Sequence, residues 1–134
     1  MILTGTDIIS ISRFDDKKLA NKNFLDRCFT PAEQEYCLSK AKPAQHFAAR
    51  FAGKEAVVKA LSGLDINMDY RDIEILNRKN GRPYVVLHTK DEKILKLAER
   101  CDISLSHSES DATAFAVIDL RDTDRKIENG RIKD

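Results

Sequence analysis

Three charged side chains lie on or beside the apolar face of one predicted helix. At about 100° per residue, a single apolar stripe contains Phe47, Phe51, Val58 and Leu61, and Lys54 projects from its middle. Glu55 and Lys59 lie one turn apart on an adjoining face. Because burying an unpaired charge is costly, we expect these charges to be used. Two plainer interpretations stay open: Glu55 and Lys59 form a surface ion pair worth about 0.2–0.5 kcal/mol, or Lys54 reaches the surface along its aliphatic stem.

Two other charged residues fit the chemistry of metals and phosphates. Asp7 lies within an otherwise apolar strand, where it is either a strand-edge carboxylate bonded to a turn or a metal ligand. Magnesium prefers hard oxygen ligands and commonly takes one or two carboxylates together with water and substrate phosphates. Arg50 flanks the apolar stripe and could bind a phosphate with its planar fork of donors. Neither residue alone identifies a site.

A histidine ends the strand-like segment Ser104-Leu105-Ser106-His107-Ser108. His107 fits a strand-end histidine bonded to backbone, a phosphate ligand or the base of a Ser/His hydrolase. No glycine flanks these serines in the pattern of a nucleophile elbow, so phosphate binding is favoured over activation of a serine. The chain also lacks the patterns G-x-x-x-x-G-K-[ST], G-x-G-x-x-G and H-E-x-x-H.

Composition and charge exclude several classes of protein. The length of 134 residues predicts one domain, and 23 basic against 22 acidic residues argue against nucleic-acid binding by bulk electrostatics. An aromatic content of 7% without tryptophan disfavours a base-stacking platform. No apolar run reaches about 18 residues, so we expect no membrane span, and the N-terminus does not resemble a secretory signal. Three cysteines without metal-like spacing (Cys28, Cys37 and Cys101) predict reduced, buried thiols in a cytoplasmic protein.

The first half of the chain predicts a strand followed by helices. A strand over residues 2–11 carries Asp7, and one or two short helices fit within residues 13–28. Thr30-Pro31-Ala32-Glu33 has the cap, proline and glutamate of a helix start, and that helix runs to about Ser39. The longest helix, about residues 43–62, carries Arg50 to Lys59, and a C-terminal glycine signal closes it at Ser62-Gly63.

The second half predicts mainly strands. Asn80-Gly81 joins strands over residues 72–77 and 83–88 into a hairpin, and Thr89 is predicted to cap a further helix. Strands follow around Ile103 and over residues 113–120. We therefore expect an α+β fold with a mainly antiparallel sheet packed on the long helix, formed by residues 1–121. Residues 122–134 form a charged tail that we expect to be mobile.

Three segments in one order form a specific combination of motifs. They are Gly5-Thr6-Asp7-Ile8 followed by Arg13; Arg50-Phe51-Ala52-Gly53-Lys54-Glu55-Ala56 followed by Lys59-Ala60; and Ile103-Ser104-Leu105-Ser106-His107-Ser108. The chain thereby resembles the holo-acyl-carrier-protein synthase family of the 4′-phosphopantetheinyl transferase superfamily over about residues 2–120. Asn80-Gly81-Arg82-Pro83-Tyr84 also looks like that family's hairpin.

The resemblance implies a 4′-phosphopantetheinyl transferase-like fold and a cytoplasmic, magnesium-dependent enzyme of fatty acid biosynthesis. Such enzymes transfer phosphopantetheine from coenzyme A to a serine of apo-acyl carrier protein and release adenosine 3′,5′-bisphosphate. The implied catalytic residues are Asp7, Glu55 and Lys59, with Asp7 and Glu55 as the Mg²⁺ ligands. Lys59 would neutralise a pyrophosphate oxygen, and either Glu55 or a metal-bound water would accept the serine proton.

The resemblance also implies binding contacts and an assembly. Residues expected to contact coenzyme A are Arg50, Lys54, Lys59, Gly63, His107 and Ser108. Arg13 and Arg27 are expected to contact the carrier protein, with Lys17, Lys18 and Lys22 as a possible extension of that basic face. Members of the family are homotrimers with active sites between subunits, and neither nucleic acid nor membrane is an expected partner.

One loop departs from the family pattern. The family has a phenylalanine and a glycine-threonine-glycine loop after the long helix, whereas this chain has Leu61-Ser62-Gly63-Leu64-Asp65. Asp65 would repel a polyphosphate unless it points away. This departure favours a second interpretation, a module that binds coenzyme A or a carrier protein without catalysis. A third interpretation is a metal-dependent phosphohydrolase.

Overall fold

A computed structural model describes residues 1–121, 126–128 and 131–133. The first half contains β1 (Ile2–Ser10), α1 (Asp16–Leu19), α2 (Lys22–Cys28), α3 (Pro31–Leu38) and α4 (Pro43–Ser62). The second half contains β2 (Ile73–Asn77), β3 (Pro83–Leu87), α5 (Glu92–Glu99), β4 (Cys101–His107) and β5 (Asp111–Asp119). Single 3₁₀ turns lie at Ile11–Phe14 and Tyr70–Asp72. The predicted α+β class and the order of its elements are confirmed.

The main sheet has three antiparallel strands in the order β1-β5-β4. Asp7 pairs with Ala114 on the central strand, and His107 pairs with Ala112 on the same strand. The register therefore carries the candidate carboxylate of the first strand and the candidate histidine of the fourth on one sheet. β2 and β3 form a separate antiparallel hairpin. Gly81 adopts φ 89° in its turn, a left-handed conformation that favours glycine, as the Asn80-Gly81 motif predicts.

Helix α4 packs on one face of the three-stranded sheet. Small residues on β5 (Ala112, Ala114 and Ala116) are buried beneath it. On β1, a Cβ atom at Gly5 would lie 1.8 Å from the carbonyl oxygen of Ala56, so only glycine permits this approach of strand and helix. The close approach sets β1 against the middle of α4. This contact brings Asp7 toward the helix face that carries Glu55 and Lys59.

Burial of α4 extends over most of its surface. Phe47 and Leu61 are fully buried, whereas Phe51 and Val58 of the predicted stripe are only half-buried. A helix surrounded on several sides is one whose polar residues must find partners inside the protein. The helix ends at Gly63 as predicted, but this glycine has φ −63° and is right-handed. The left-handed residue that follows is Asp65, with φ 55°.

The sequence predicts capping residues for two helices, and the structure confirms one of them. Thr30 and Glu33 form the predicted reciprocal capping box at the start of α3. The prediction for α5 was wrong by two residues, because the cap is Asp91 and not Thr89. The Asp91 side chain accepts a hydrogen bond from the backbone of Lys93, while Thr89 accepts one from the backbone of Asp91 itself.

The C-terminal tail contains two short strands that the sequence did not predict. β6 (Lys126–Glu128) and β7 (Arg131–Lys133) pair antiparallel. The rest of the predicted mobile tail, residues 122–125, 129–130 and 134, lies outside the described residues. Among the described residues, no helix combines the length and apolar character needed to cross a membrane.

Candidate functional site

Asp7 and Lys59 meet where β1 crosses α4. The ammonium nitrogen of Lys59 lies 3.3 Å from Oδ1 of Asp7 and also donates a hydrogen bond of 2.8 Å to the carbonyl of Thr6. The Asp7 side chain retains 19% of its accessible surface and that of Lys59 retains 52%. Within the described chain Lys59 thus pairs with Asp7 rather than with Glu55, and the interpretation of Glu55 and Lys59 as a simple surface pair is wrong.

Glu55 has a different partner, the phenol of Tyr70. The Tyr70 hydroxyl donates a hydrogen bond to Oε1 of Glu55. This bond, burial and the nearby negative charges of Glu55 and Asp7 together raise the pKa of Tyr70 to about 12. Glu55 lies one helical turn before Lys59, and Lys59 pairs with Asp7. The two candidate metal ligands, one from the strand and one from the helix, therefore both lie beside Lys59.

The donor set of this region fits magnesium. Two carboxylates provide hard oxygen ligands, and the half-exposed position leaves room for water and a phosphate to complete six-fold coordination. No cluster of three or more acidic, histidine or cysteine side chains suited to a metal occurs within the described residues. A cation held here would take most of its ligands from water and substrate, which is the usual situation for Mg²⁺ and unusual for Zn²⁺. Asp7 and Glu55 would hold it.

Lys54 projects from the apolar stripe as predicted, but it does not reach the surface. Its ammonium is fully buried and lies 2.8 Å from Oε1 of Glu33, which is also fully buried. Its other hydrogen bonds go to the carbonyls of Tyr70, at 2.8 Å, and Ile73. Burial lowers the pKa of Lys54, and the adjacent Glu33 carboxylate opposes that shift. All three ammonium protons have partners inside the protein, so the structure gives Lys54 a structural role in place of the predicted cofactor contact.

Arg50 is buried between an aromatic ring and an amide. Its guanidinium lies 4.1 Å from the centroid of the Tyr36 ring and donates a hydrogen bond to Oδ1 of Asn77. Its Nε is buried without a protein partner among the described residues. Burial lowers the pKa of His46, and the charges of Arg50 and Lys40 add to this shift. His46 and Arg50 lie one turn apart on α4, so Arg50 adds positive charge to the first half of that helix.

His107 and Ser108 line a cavity of about 660 Å³ at the N-terminal end of α4. The other lining residues are Ile11, Lys42, Ala44, Gln45 and Glu109. Lys42, His107 and the first backbone amides of α4 can donate to a phosphate group here, whereas the carboxylate of Glu109 opposes one. Lys42 and Gln45 were not predicted, and no motif pointed to them, since their contribution comes from the position of the helix end.

The serines beside His107 are arranged for structure and not for nucleophilic attack. Oγ of Ser108 accepts hydrogen bonds from the backbone nitrogens of Ser110 and Asp111, at 3.2 Å and 3.1 Å. Nδ1 of His107 lies 3.2 Å from the carbonyl of Ser108. No hydrogen bond joins the imidazole to a serine hydroxyl in the described part of the chain. This geometry does not support a Ser/His hydrolase.

The loop after α4 is exposed, including Gly63, Leu64 and Asp65. Asp65 tolerates its left-handed backbone because a short polar side chain can do so at modest cost. Tyr70, at the end of this loop, is the residue of the acidic site that sequence reasoning missed. Its only sequence signal was an aromatic residue shortly before a strand.

The arginines predicted to form a basic face are both exposed. Arg13 is exposed, with its guanidinium 5.9 Å from the centroid of the Phe51 ring. Arg27 is also exposed and lines a groove of about 330 Å³ together with Asp15, Lys17, Lys18, Asn21 and Phe24. Lys22 instead forms an ion pair of 2.7 Å with Asp26. Three basic residues against one acidic residue give this groove a net positive charge, and Arg13 is not among its lining residues.

An α+β domain with a carboxylate paired to a lysine where a strand crosses a helix, and a cavity with hydrogen-bond donors at the start of that helix, is typical of an enzyme that handles a phosphorylated substrate. Residues 4–118 match the family model ACPS, described as the 4′-phosphopantetheinyl transferase superfamily. The chain belongs to this superfamily, and the resemblance and the fold predicted from it are confirmed.

Individual relatives agree with this assignment. A holo-[acyl-carrier-protein] synthase of Protochlamydia amoebophila (strain UWE25) is 46% identical over 115 residues, which cover 84% of this chain and 93% of that protein. The crystal structure of the same kind of enzyme from Neisseria meningitidis is similar with a TM-score of 0.74 and 31% identity, covering 89% of this chain and 99% of that one. The Helicobacter pylori enzyme, solved in complex with coenzyme A, has a TM-score of 0.69 and 26% identity, covering 87% and 100% of the two chains.

Proposed function

We propose that this chain is a holo-[acyl-carrier-protein] synthase, which transfers the 4′-phosphopantetheine group of coenzyme A to a serine of apo-acyl carrier protein in fatty acid biosynthesis. The observation that carries the proposal is the contact of Asp7 on β1 with Lys59 on α4, one helical turn from Glu55. In the reaction the serine oxygen forms a bond to the phosphorus that bears pantetheine. The bond from that phosphorus to the bridging pyrophosphate oxygen breaks, and adenosine 3′,5′-bisphosphate leaves.

Three residues, Asp7, Glu55 and Lys59, are proposed to stabilise negative charge during the transfer and to provide a proton acceptor. Mg²⁺ bound by Asp7 and Glu55 would stabilise the negative charge that develops on the pyrophosphate. Lys59 lies beside Asp7 with half of its side chain exposed, so its ammonium can turn to a pyrophosphate oxygen when the substrate arrives. The serine proton passes to Glu55 or to a water molecule in the same region.

The cavity at the start of α4 is proposed to hold the remaining phosphate of coenzyme A. His107 and Ser108 line this cavity, and Arg50 lies in the first half of the same helix. The unpaired Nε of Arg50 supports a phosphate contact made after a small rotation of the guanidinium. Gly63 is exposed at the end of α4 and is proposed to allow the cofactor to approach the backbone there.

Acyl carrier protein is proposed to bind to the basic face of Arg13 and Arg27. Both arginines are exposed, and Arg27 shares its groove with Lys17 and Lys18. An acidic helix of a carrier protein would complement this charge and be steered toward it.

The assembly is proposed to be a homotrimer with its sites between subunits. The sheet face opposite α4 is uncovered in the single chain, and it exposes Ile8 at 67% and Phe115 at 47%. Apolar residues on an open sheet face favour burial against other copies. Light scattering tests this proposal, and a mass of one chain, 15.2 kDa, would contradict it. The three free cysteines support activity in a reducing compartment, the cytoplasm.

Mass spectrometry of apo-acyl carrier protein incubated with this protein, coenzyme A and Mg²⁺ tests the function directly. A gain of one phosphopantetheine on the carrier protein is expected. Binding of coenzyme A without this gain would identify a non-catalytic module. Release of phosphate or cleaved nucleotide without carrier protein would identify a phosphohydrolase. Omission of Mg²⁺ with added chelator is the matched control and should abolish the gain.

A further inference from the structure

Two adjacent residues of α4 hold the two ends of Tyr70. The buried ammonium of Lys54 donates a hydrogen bond of 2.8 Å to the Tyr70 backbone carbonyl, and the next residue, Glu55, accepts one from its phenol hydroxyl. The Tyr70 ring also contacts Phe51, with ring centroids 5.1 Å apart. Backbone, ring and hydroxyl are therefore all fixed against the same helix.

The buried ion pair of Lys54 and Glu33 holds this arrangement rigid. Glu33 accepts the buried hydrogen bond of Lys54 at 2.8 Å and another from the backbone of Ile75 at 3.0 Å. A fully buried ion pair with these bonds has few alternative geometries, because any displacement leaves a charge unpaired. The carbonyl of Tyr70 is thus tied to the core, and its phenol reaches outward to the half-exposed carboxylate.

We propose that Tyr70 is a positioning residue, which orients the Glu55 carboxylate for a divalent cation by donating a hydrogen bond to Oε1. This inference rests on the proposed function. Oε2 accepts no hydrogen bond from the described residues and stays available as a ligand. Without the phenol, the Glu55 side chain rotates among several conformers. A cation must then order this side chain when it binds, so more conformational entropy is lost on binding.

Loss of the hydroxyl alone is the sharpest test. Tyr70→Phe keeps the ring on Phe51 and the backbone bond to Lys54. It is expected to raise the Mg²⁺ concentration for half-maximal transfer about tenfold, the low end of the effect of groups that support metal ligands. The rate at saturating Mg²⁺ should stay within about twofold of wild type. Tyr84→Phe, which removes a hydroxyl from β3, is the matched control and should leave Mg²⁺ dependence unchanged.

A merely structural role makes a different prediction. Tyr70→Phe would then reduce the rate by the same factor at every Mg²⁺ concentration, including saturation. Such a uniform loss, or an unchanged Mg²⁺ dependence in an active Tyr70→Phe protein, would overturn the proposal. If the wild-type protein makes no holo-carrier protein at all, the proposed function fails instead, so the two failures are distinguishable.

A second measurement needs no catalysis. The chain has three tyrosines and no tryptophan, so near-ultraviolet difference spectra on adding Mg²⁺ report on tyrosine environments. A perturbation is expected in wild type and in Tyr84→Phe, and it should disappear in Tyr70→Phe. If Tyr70→Phe does not fold, survival of the signal in both Tyr84→Phe and Tyr36→Phe assigns it to Tyr70. No signal in wild type, or one that disappears in either control, contradicts the proposal.

Discussion

Gly5 and Ala56 define the distance between β1 and α4. The position of a Cβ atom on Gly5 is only 1.8 Å from the Ala56 carbonyl oxygen, so the strand lies directly on the helix backbone. Asp7 is two residues further along β1, while Glu55 and Lys59 flank Ala56 on α4. A contact between two small residues in the core thereby determines whether the acidic site exists.

Gly5→Ala is therefore expected to damage both fold and site. The new methyl group must displace backbone rather than a flexible side chain, so we expect a loss of at least about 3 kcal/mol in the free energy of unfolding. Urea denaturation measures it. Gly81→Ala, where nothing lies within 4 Å of the added Cβ and only the positive φ is unfavourable, should cost about 1–2 kcal/mol. Equal costs for the two variants would contradict the close approach at Gly5.

Glu55→Gln should abolish transfer and leave the fold intact. The amide has the shape of the carboxylate, and its oxygen can still accept from Tyr70, but the charge needed for a divalent cation is lost. We expect kcat/KM to fall by at least about 10²-fold, measured by the mass-spectrometric assay. Glu35→Gln, on the exposed side of α3, is the control and should keep full activity. Full turnover by a folded Glu55→Gln protein would exclude the proposed role.

Substitution of Lys54 is expected to affect mainly the free energy of unfolding, whereas substitution of Lys59 is expected to affect mainly the transfer activity. Lys54→Met leaves Glu33 charged and buried without its partner, so we expect a loss of about 3–5 kcal/mol in unfolding free energy. Lys59→Met removes an ammonium that is half exposed, and its effect on stability should stay below about 1 kcal/mol while transfer is strongly reduced. Unfolding and transfer are measured on both variants. A fully stable Lys54→Met protein with weakened coenzyme A binding would restore the original expectation of a cofactor contact.

The sequence predicted what depends on near neighbours along the chain. The capping box of Thr30 and Glu33 spans three residues, and the Asn80-Gly81 turn is local, so residue types and spacing alone were enough to predict both. The candidate acids followed from motifs in the right order. The meeting of Asp7 and Lys59 could not be predicted in this way, because 52 positions separate them and the contact depends on packing at Gly5.

The roles that the sequence did not predict depend on contacts between residues that are far apart along the chain. Glu33 was identified only as a cap, yet it also neutralises Lys54, 21 residues away. Lys54 was assigned to the cofactor because its charge on a core face needed a reason, and a buried acid supplies that reason equally well. The role of Tyr70 could not be predicted because the residue that it binds, Glu55, lies 15 residues earlier on another element.

Arg13→Ala is expected to weaken carrier-protein binding more than coenzyme A binding. Arg13 is exposed and is not among the residues that line the cavity of His107 and Ser108, so we expect its charge to act on an acidic protein rather than on the cofactor. KM for acyl carrier protein should rise about tenfold at low salt, with KM for coenzyme A nearly unchanged. Lys79→Ala removes an exposed positive charge at the β2–β3 turn and should affect neither. Equal increases in both constants for Arg13→Ala would contradict this assignment.

The Tyr70 phenol should also make the free energy of unfolding fall as the pH rises through the alkaline range. Its pKa is raised from 10.0 to about 12, mainly by the hydrogen bond to Glu55, so the native protein keeps a proton that the unfolded chain loses. The contribution is fully present below pH 10 and is lost as the pH rises toward about 12. Urea denaturation in metal-free buffer should therefore show stability falling over this interval more steeply in wild type than in Tyr70→Phe. Parallel curves for the two proteins would mean that the phenol does not donate to Glu55 in solution.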